Sequence, residues 1–256
     1  MKRLIIISTF VTLTCACMLL FFSCSTLKRE QRQYNRQLKK SERQADKGGF
    51  QECYDIVDLY TCHEPYTRPT KEQQIKLIKY CKKGIELDTV SGANYDDMTL
   101  AFFYSHLADY TLDIKEKYSY YRKAAKLNDA DSQWITGLYY LDGIGGANID
   151  GRGGQIKNDS ALYWIKQAYN NGNTQATHFL GNIYLTGKYM YTDIVKADTS
   201  VAIYYYKKAC ILGDSRMGSC DSVVSYYKRN KNLKDTTDLS IYSELVKRRS
   251  QFKGYK

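Results

Sequence analysis

The sequence predicts an all-α protein built as a solenoid of about five antiparallel helical hairpins. Small residues recur at long and regular intervals: Ala124, Ala168 and Ala209 are 44 and 41 residues apart, and Gly137 and Gly181 are 44 residues apart. A repeat of this length indicates helical units that stack on their neighbours. Two prolines in 256 residues and a hydrophobic fraction of 43% favour long helices around a continuous core.

Residues 1–23 are predicted to be a signal peptide. Lys2 and Arg3 precede an apolar run over residues 4–22, and Ser23 and Cys24 follow the run. This pattern resembles the lipobox of bacterial lipoproteins. The resemblance implies that Cys24 is lipidated and that the protein is anchored to a membrane of the cell envelope, facing outside the cytoplasm. The alternative is a retained transmembrane anchor, because about 20 apolar residues span a bilayer.

Residues 24–47 are predicted to be a charged tether beside the membrane. The segment from Ser25 to Lys47 contains eight basic and three acidic residues and lacks a sustained apolar stripe, which is typical of a solvated helix or linker. One interpretation is attraction to anionic lipid headgroups or to other anionic envelope polymers. The other is a spacer that its charge keeps soluble.

Residues 48–256 are predicted to form the repeat domain, with the clearest repeats over 96–227. Pro65 and Pro69 separate its first two helices, since proline inside a helix removes a hydrogen bond. The first and last hairpins are expected to be degenerate, because a terminal unit exposes one face to water. The predicted helix pairs are 50–60 with 71–87, 96–110 with 114–127, 130–141 with 160–170, 174–185 with 199–212, and 216–227 with 239–252.

The run from Ala161 to Gly187 resembles the Sel1-like and tetratricopeptide helical repeats. Alanines seven residues apart let neighbouring helices approach closely, and a glycine on the opposing helix does the same. These small residues are Ala161, Ala168, Ala202 and Ala209, with Gly137 and Gly181 on the opposing helices.

In repeats of this type, the first helix of each hairpin lines a concave groove. The resemblance therefore implies a groove that binds a peptide or another protein. The positions assigned to it are Asp131, Trp134, Gln175, His178, Asn182, Arg216 and Ser219. Mixed polar and aromatic residues suit such binding. The alternative is that Trp134 and His178 only cover the core.

One disulfide is predicted near the C-terminal end of the repeats. Cys210 closes one helix and Cys220 lies in the next, an arrangement that resembles the disulfide-bearing Sel1-like proteins of some bacteria. In the repeat alignment these cysteines occupy the places of Tyr169 and Phe179, an apolar pair that is expected to touch. A bridge between Cys210 and Cys220 follows.

A second disulfide is predicted in the first hairpin. Antiparallel counting through the proline connection places Cys53 opposite Cys81 and leaves Cys62 unpaired. The alternative, that all of these cysteines are buried thiols, is disfavoured in an oxidising exported compartment.

The sequence contains no arrangement typical of catalysis or of metal binding. His63, His106 and His178 are the only histidines, and their spacing matches neither a zinc site nor a triad. The Gly-rich stretch 148–154 has neither a preceding strand for a phosphate loop nor a bidentate glutamate for calcium. No cofactor or metal is expected.

The predicted function is a non-enzymatic protein–protein interaction scaffold on a membrane-anchored lipoprotein. The alternative is a structural or regulatory envelope component that binds anionic polymers through its basic segments, and a cell-wall-related enzyme is the least favoured interpretation. Nucleic acid is not an expected partner despite the net charge of +11, because export separates the protein from it.

Overall fold

The computed structural model describes residues 28–61, 69–91, 96–143, 158–213, 218–229, 242–244 and 246–247. These residues are helical apart from short connections and one small ribbon. The helices are α1 (28–46), α2 (Phe50–Thr61), α3 (Lys71–Ser91), α4 (Asp97–Tyr110), α5 (Ile114–Lys126), α6 (Ala130–Leu141), α7 (Asn158–Asn170), α8 (Thr174–Thr186), α9 (Thr199–Ile211) and α10 (Ser219–Arg229), and residues 242–244 and 246–247 are also helical. The strands are β1 (Lys188–Tyr189) and β2 (Thr192–Asp193). The chain divides into two units after Leu87.

In the first unit, α1 packs against both α2 and α3. Ala45 of α1 is fully buried, and the hydroxyl of Tyr34 donates to the carbonyl oxygen of Leu59 at 3.1 Å. The ammonium of Lys76 lies 2.9 Å from Glu42. One side of α1 is therefore packed on its own unit, while most of its side chains are exposed, and the tether role of this segment stays a prediction.

In the second unit, the helices pack as the predicted hairpins: α4 with α5, α6 with α7, and α8 with α9, while α10 packs on α9. The repeated small residues lie at the closest contacts. A Cβ added to Gly137 would lie 2.5 Å from Cγ1 of Ile165, and one added to Gly181 would lie 2.6 Å from the ring of Tyr206. The four repeated alanines, Ala161, Ala168, Ala202 and Ala209, are fully buried.

The turns between successive hairpins also repeat. Asn128, Gly172 and Gly213 have φ angles of 67°, 84° and 94° and are again 44 and 41 residues apart. Glycine and asparagine are the residues that tolerate this left-handed conformation after a helix. The next residue caps the following helix in two of the repeats, since Asp129 and Asn173 accept hydrogen bonds from the amides three residues later.

The ribbon in the connection between α8 and α9 was not predicted. Its two strands pair antiparallel, with Lys188 opposite Asp193 and Tyr189 opposite Thr192. The sequence Lys188 to Asp193 lacks the Asn-Gly or Asp-Gly signal of a tight hairpin, and Met190 takes a φ of 51° instead.

One of the two predicted disulfides is present in the structure. Cys210 and Cys220 are bonded, with their Cα atoms 4.9 Å apart, and they join α9 to α10. The prediction of a bridge between Cys53 and Cys81 is not met: both are buried, and no disulfide joins them. Burial raises the pKa of the Cys53 thiol to about 11, so this thiol stays protonated in the apolar interior.

Several predictions lie outside the described residues: the leader 1–23, Cys24, Cys62, Arg216, the Gly-rich stretch 148–154 and most of the last predicted helix. Among the residues that are described, no helix is long and apolar enough to cross a membrane.

Candidate binding surface

The predicted groove residues lie on α6, α8 and α10, which are the first helices of successive hairpins. We call Asp131, Trp134, Gln175, His178, Asn182 and Ser219 the first-helix surface. Asp131, Gln175 and Asn182 are exposed, while Trp134 and His178 are partly buried. Ser219 is fully buried. A partner could thus reach the first five side chains but not the hydroxyl of Ser219.

Asp131 and Trp134 connect α6 to α8. The side-chain amide of Asn173 donates to the carboxylate of Asp131 at 2.6 Å, and the same Asn173 caps α8 by accepting from the amide of Ala176 at 2.6 Å. The rings of Trp134 and Phe179 meet edge to face, with centroids 5.0 Å apart. Both predicted groove residues of α6 therefore contribute to stacking of the repeats as well as to the surface.

His178 connects α8 to α10 of the next hairpin, whereas Asn182 connects α8 to its own partner α9. Nδ1 of His178 lies 2.6 Å from the hydroxyl of Ser219, and its ring is 5.5 Å from that of Tyr206. The hydroxyl of Tyr206 donates to the side-chain oxygen of Asn182 at 2.6 Å. These contacts support the alternative that His178 and Trp134 pack on the core, although both rings remain partly exposed.

Tyr189 and Asp142 also belong to this region, and the sequence analysis did not assign them to it. The hydroxyl of Tyr189 on β1 donates to Asp142, just after α6, at 3.1 Å. The ring of Tyr189 lies 5.6 Å from that of Phe179. The pKa of Tyr189 is raised, mainly by burial and to a smaller extent by the negative charge of Asp142. No signal in the sequence could have placed Tyr189 there, because its position depends on the unpredicted ribbon.

The arrangement places aromatic rings beside polar side chains. Trp134, Phe179 and Tyr189 form a row of rings, and the carboxylates, amides and imidazole beside them offer both donors and acceptors. The described part of the chain contains no group of three or more His, Cys, Asp or Glu residues that could hold a metal ion.

The second helices present a different surface, rich in tyrosine and lysine. Tyr163 and Tyr204 occupy equivalent repeat positions on α7 and α9 and are 54% and 48% exposed. The hydroxyls of Tyr169 and Tyr204 are 3.0 Å apart, and this hydrogen bond, together with burial, raises the pKa of Tyr169 to about 12. The ammonium of Lys208 lies 5.7 Å from the centre of the Tyr204 ring.

Comparison with solved structures supports the fold. One is the crystal structure of a Sel1 repeat protein from Oxalobacter formigenes, with a TM-score of 0.55 and 20% identity over 82% of this chain and 78% of that chain. Another is c5321, a protective antigen of uropathogenic Escherichia coli strains that displays an SLR fold, with a TM-score of 0.58 and 17% identity over 84% of this chain and 40% of that chain. The protein is thus an all-α helical-repeat solenoid.

The sequence comparison identifies the repeats themselves. Residues 114–129, 130–173 and 174–214 match the model of the Sel1 repeat. The residues that are similar to Sel1 repeats therefore run from the start of α5 to just beyond the end of α9. No functionally curated protein matches the chain.

Proposed function

We propose that the protein is a non-enzymatic scaffold that binds a segment of another protein on the first-helix surface. Sel1 repeats generally serve as scaffolds for protein–protein interactions. The observation that supports this surface is the pairing of exposed polar groups at repeat-equivalent positions, Asp131 and Gln175, with partly buried rings beside them. Such a surface offers hydrogen bonds at its rim and apolar contact at its centre.

One side of α8 would make the principal contact. Gln175, His178, Asn182 and Leu185 are three or four residues apart along this helix and so share one face. Leu185 is 46% exposed. This face therefore runs from an amide through an imidazole and a second amide to an aliphatic group, over about 15 Å of helix. That length corresponds to four or five residues of an extended peptide, at about 3.3 Å each.

The fixed geometry of these side chains supports tight binding. His178 and Asn182 are already held by Ser219 and Tyr206, so ordering them on association costs little entropy. Gln175 and Leu185 are the free ends of the surface, and they would adapt to the ligand.

The proposed location is the outer side of a bacterial membrane, with attachment through Cys24. The leader pattern of residues 1–23 supports this location. The bond between Cys210 and Cys220 adds independent support, because structural disulfides persist in oxidising compartments and are rare in the cytosol.

Photo-crosslinking from exposed positions tests the proposed binding. Substitution of Trp134 and His178 would be ambiguous, because both pack between repeats and their loss would also destabilise the fold. A photoreactive amino acid at Gln175 or Leu185 avoids this problem, and Lys166, exposed on α7, serves as the matched control.

The expected result is a discrete adduct, formed in envelope-bearing cells, from Gln175 and Leu185 but not from Lys166. Mass spectrometry should map the adduct to one contiguous peptide segment of one other protein. Equal labelling from Lys166, or adducts only to lipid or glycan, would contradict binding at this surface.

A further inference from the structure

Helix α1 carries a stripe of basic side chains along its length. The stripe consists of Arg29, Arg32, Arg36, Lys39 and Arg43, which are separated by three or four residues and are all exposed. At 3.6 residues per turn, the five positions fall within an arc of roughly 80°. From the first to the last, the stripe is about 21 Å long.

The opposite side of α1 is fixed to its own unit. Tyr34, Ser41 and Ala45 point about 170° away from the centre of the stripe, and these are the positions that contact α2 or are buried. The helix therefore cannot rotate to hide its cations without breaking this packing.

Two of the three acidic groups of α1 are neutralised by lysines of α3. Glu42 forms an ion pair with Lys76 at 2.9 Å, and Asp46 forms an ion pair with Lys79 at 2.8 Å. The hydrogen bond from Lys79 lowers the pKa of Asp46, as expected for a paired carboxylate. Within the described ranges, none of the five stripe residues makes an ion pair.

We infer that the basic stripe of α1 docks the first unit onto a lipid bilayer with anionic headgroups. A straight stripe of one sign on a fixed helix fits a flat anionic surface, and each cation close to such a surface contributes favourable energy. The position in the chain favours a bilayer over a soluble polymer. The apolar run ends at Phe22, and Cys24 is four residues before α1 begins, a reach of at most about 14 Å.

This inference rests on the proposed membrane attachment, and it adds the orientation of the first unit. Attachment alone would not determine which side of the unit faces the membrane. Docking of the stripe would hold α1 parallel to the membrane, with α2 and α3 on the side away from the lipid.

The test uses the full chain reconstituted into phosphatidylcholine vesicles with or without phosphatidylglycerol. A photoreactive amino acid replaces Gln33, a neutral and exposed residue beside the stripe, and Gln51 on α2 is the control position. Flotation with the vesicles measures attachment, and the yield of lipid adduct measures docking. The two outcomes are therefore read separately.

We expect the adduct from Gln33 to be about tenfold more abundant with phosphatidylglycerol than without it, and to fall again at high salt, where the Debye length shrinks from about 8 Å to about 3 Å. A variant with Arg29, Arg32, Lys39 and Arg43 changed to Gln should lose the adduct and still float. The matched control changes Lys115, Arg122, Lys123 and Lys126 of α5 to Gln and should keep it.

An adduct that is insensitive to phosphatidylglycerol, or equal at Gln33 and Gln51, in chains that float would overturn docking and leave attachment intact. Failure to float would count against the attachment itself. If added anionic polysaccharide competes the adduct away and is itself labelled at Gln33, the stripe binds a polymer and the bilayer proposal is wrong.

Discussion

Substitution of Gly137 by alanine tests whether the repeat fold depends on close helix approach. Gly137 is in the middle of α6, where alanine ordinarily stabilises a helix by about 0.5–1 kcal/mol. In this protein the new Cβ would lie 2.5 Å from Cγ1 of Ile165, and also 3.2 Å from the carbonyl oxygen of Ala161. Ordinary contacts of a Cβ begin at 3.4 Å.

The expected effect is destabilisation, because the obstructing atoms cannot move aside. Ile165 is fully buried, its Cγ1 is next to the backbone, and the carbonyl of Ala161 belongs to helix α7 itself. Separating two packed helices to admit a methyl group costs about 1–3 kcal/mol. After the gain in helix propensity, we expect the free energy of unfolding to fall by about 1–2 kcal/mol.

Urea denaturation followed by far-ultraviolet circular dichroism measures this change, and a double-mutant cycle assigns its cause. Ile165→Ala alone should cost about 2–5 kcal/mol by creating a cavity. In that background Gly137→Ala should be less harmful by at least about 1 kcal/mol, since Cγ1 is gone. Additive effects, or a Gly137→Ala protein more stable than the parent, would refute the argument that this glycine is required for packing.

Two other predictions follow from the contacts in the second unit. Replacing Cys210 and Cys220 by alanine should lower the free energy of unfolding by about 3 kcal/mol, because the bond closes a loop of 10 residues; reductant should produce the same loss in the parent and none in the variant. Stability should also fall between pH 10 and 12, because the pKa of Tyr169 is raised from 10.0 to about 12 by its bond to Tyr204 and by burial. The neutral phenol favours folding fully below pH 10, and this contribution is lost as the pH rises through the folded pKa. Thermal melts over this range should show a smaller loss for Tyr169→Phe, and an equal loss would contradict the assignment.

The parts of the fold that follow from steric rules could be predicted from the sequence. A residue without a side chain, or with only a methyl group, is needed wherever helices touch closely, so Ala168 and Gly181 recur in the sequence at the spacing of the repeat. The disulfide was predicted from the same repetition, since Cys210 and Cys220 occupy the places of two apolar residues that pack on one core cluster in the preceding unit, Tyr169 and Phe179. Repetition supplies internal evidence that a single sequence otherwise lacks.

The parts that could not be predicted depend on contacts between distant segments. The packing of one side of α1 involves residues more than 30 positions away in the sequence, among them Lys76 and Lys79, which bind its acids. Hydrophobic periodicity does not reveal such a helix, because its buried side contains tyrosine, serine and alanine rather than a stripe of leucines. The pairing of Cys53 with Cys81, which the structure does not show, was predicted by counting alone, and counting along two helices fixes the level of each residue but not the direction of its side chain.

The proposed binding surface depends both on the repeat spacing and on contacts between distant segments. The repeat spacing predicted which helices carry its residues, but not which contacts their side chains make. Repeat alignment places Trp134 and His178 at equivalent positions, and the two residues lie on α6 and α8, while their role in a groove stays a prediction. Their contacts with Phe179 and Ser219 are between neighbouring repeats, so each side chain both stabilises the stack and forms part of the surface. A protein partner would therefore distinguish this chain through the residues that have no such stacking role, Gln175 and Leu185 foremost, while the rings beneath them fix the shape that the partner meets.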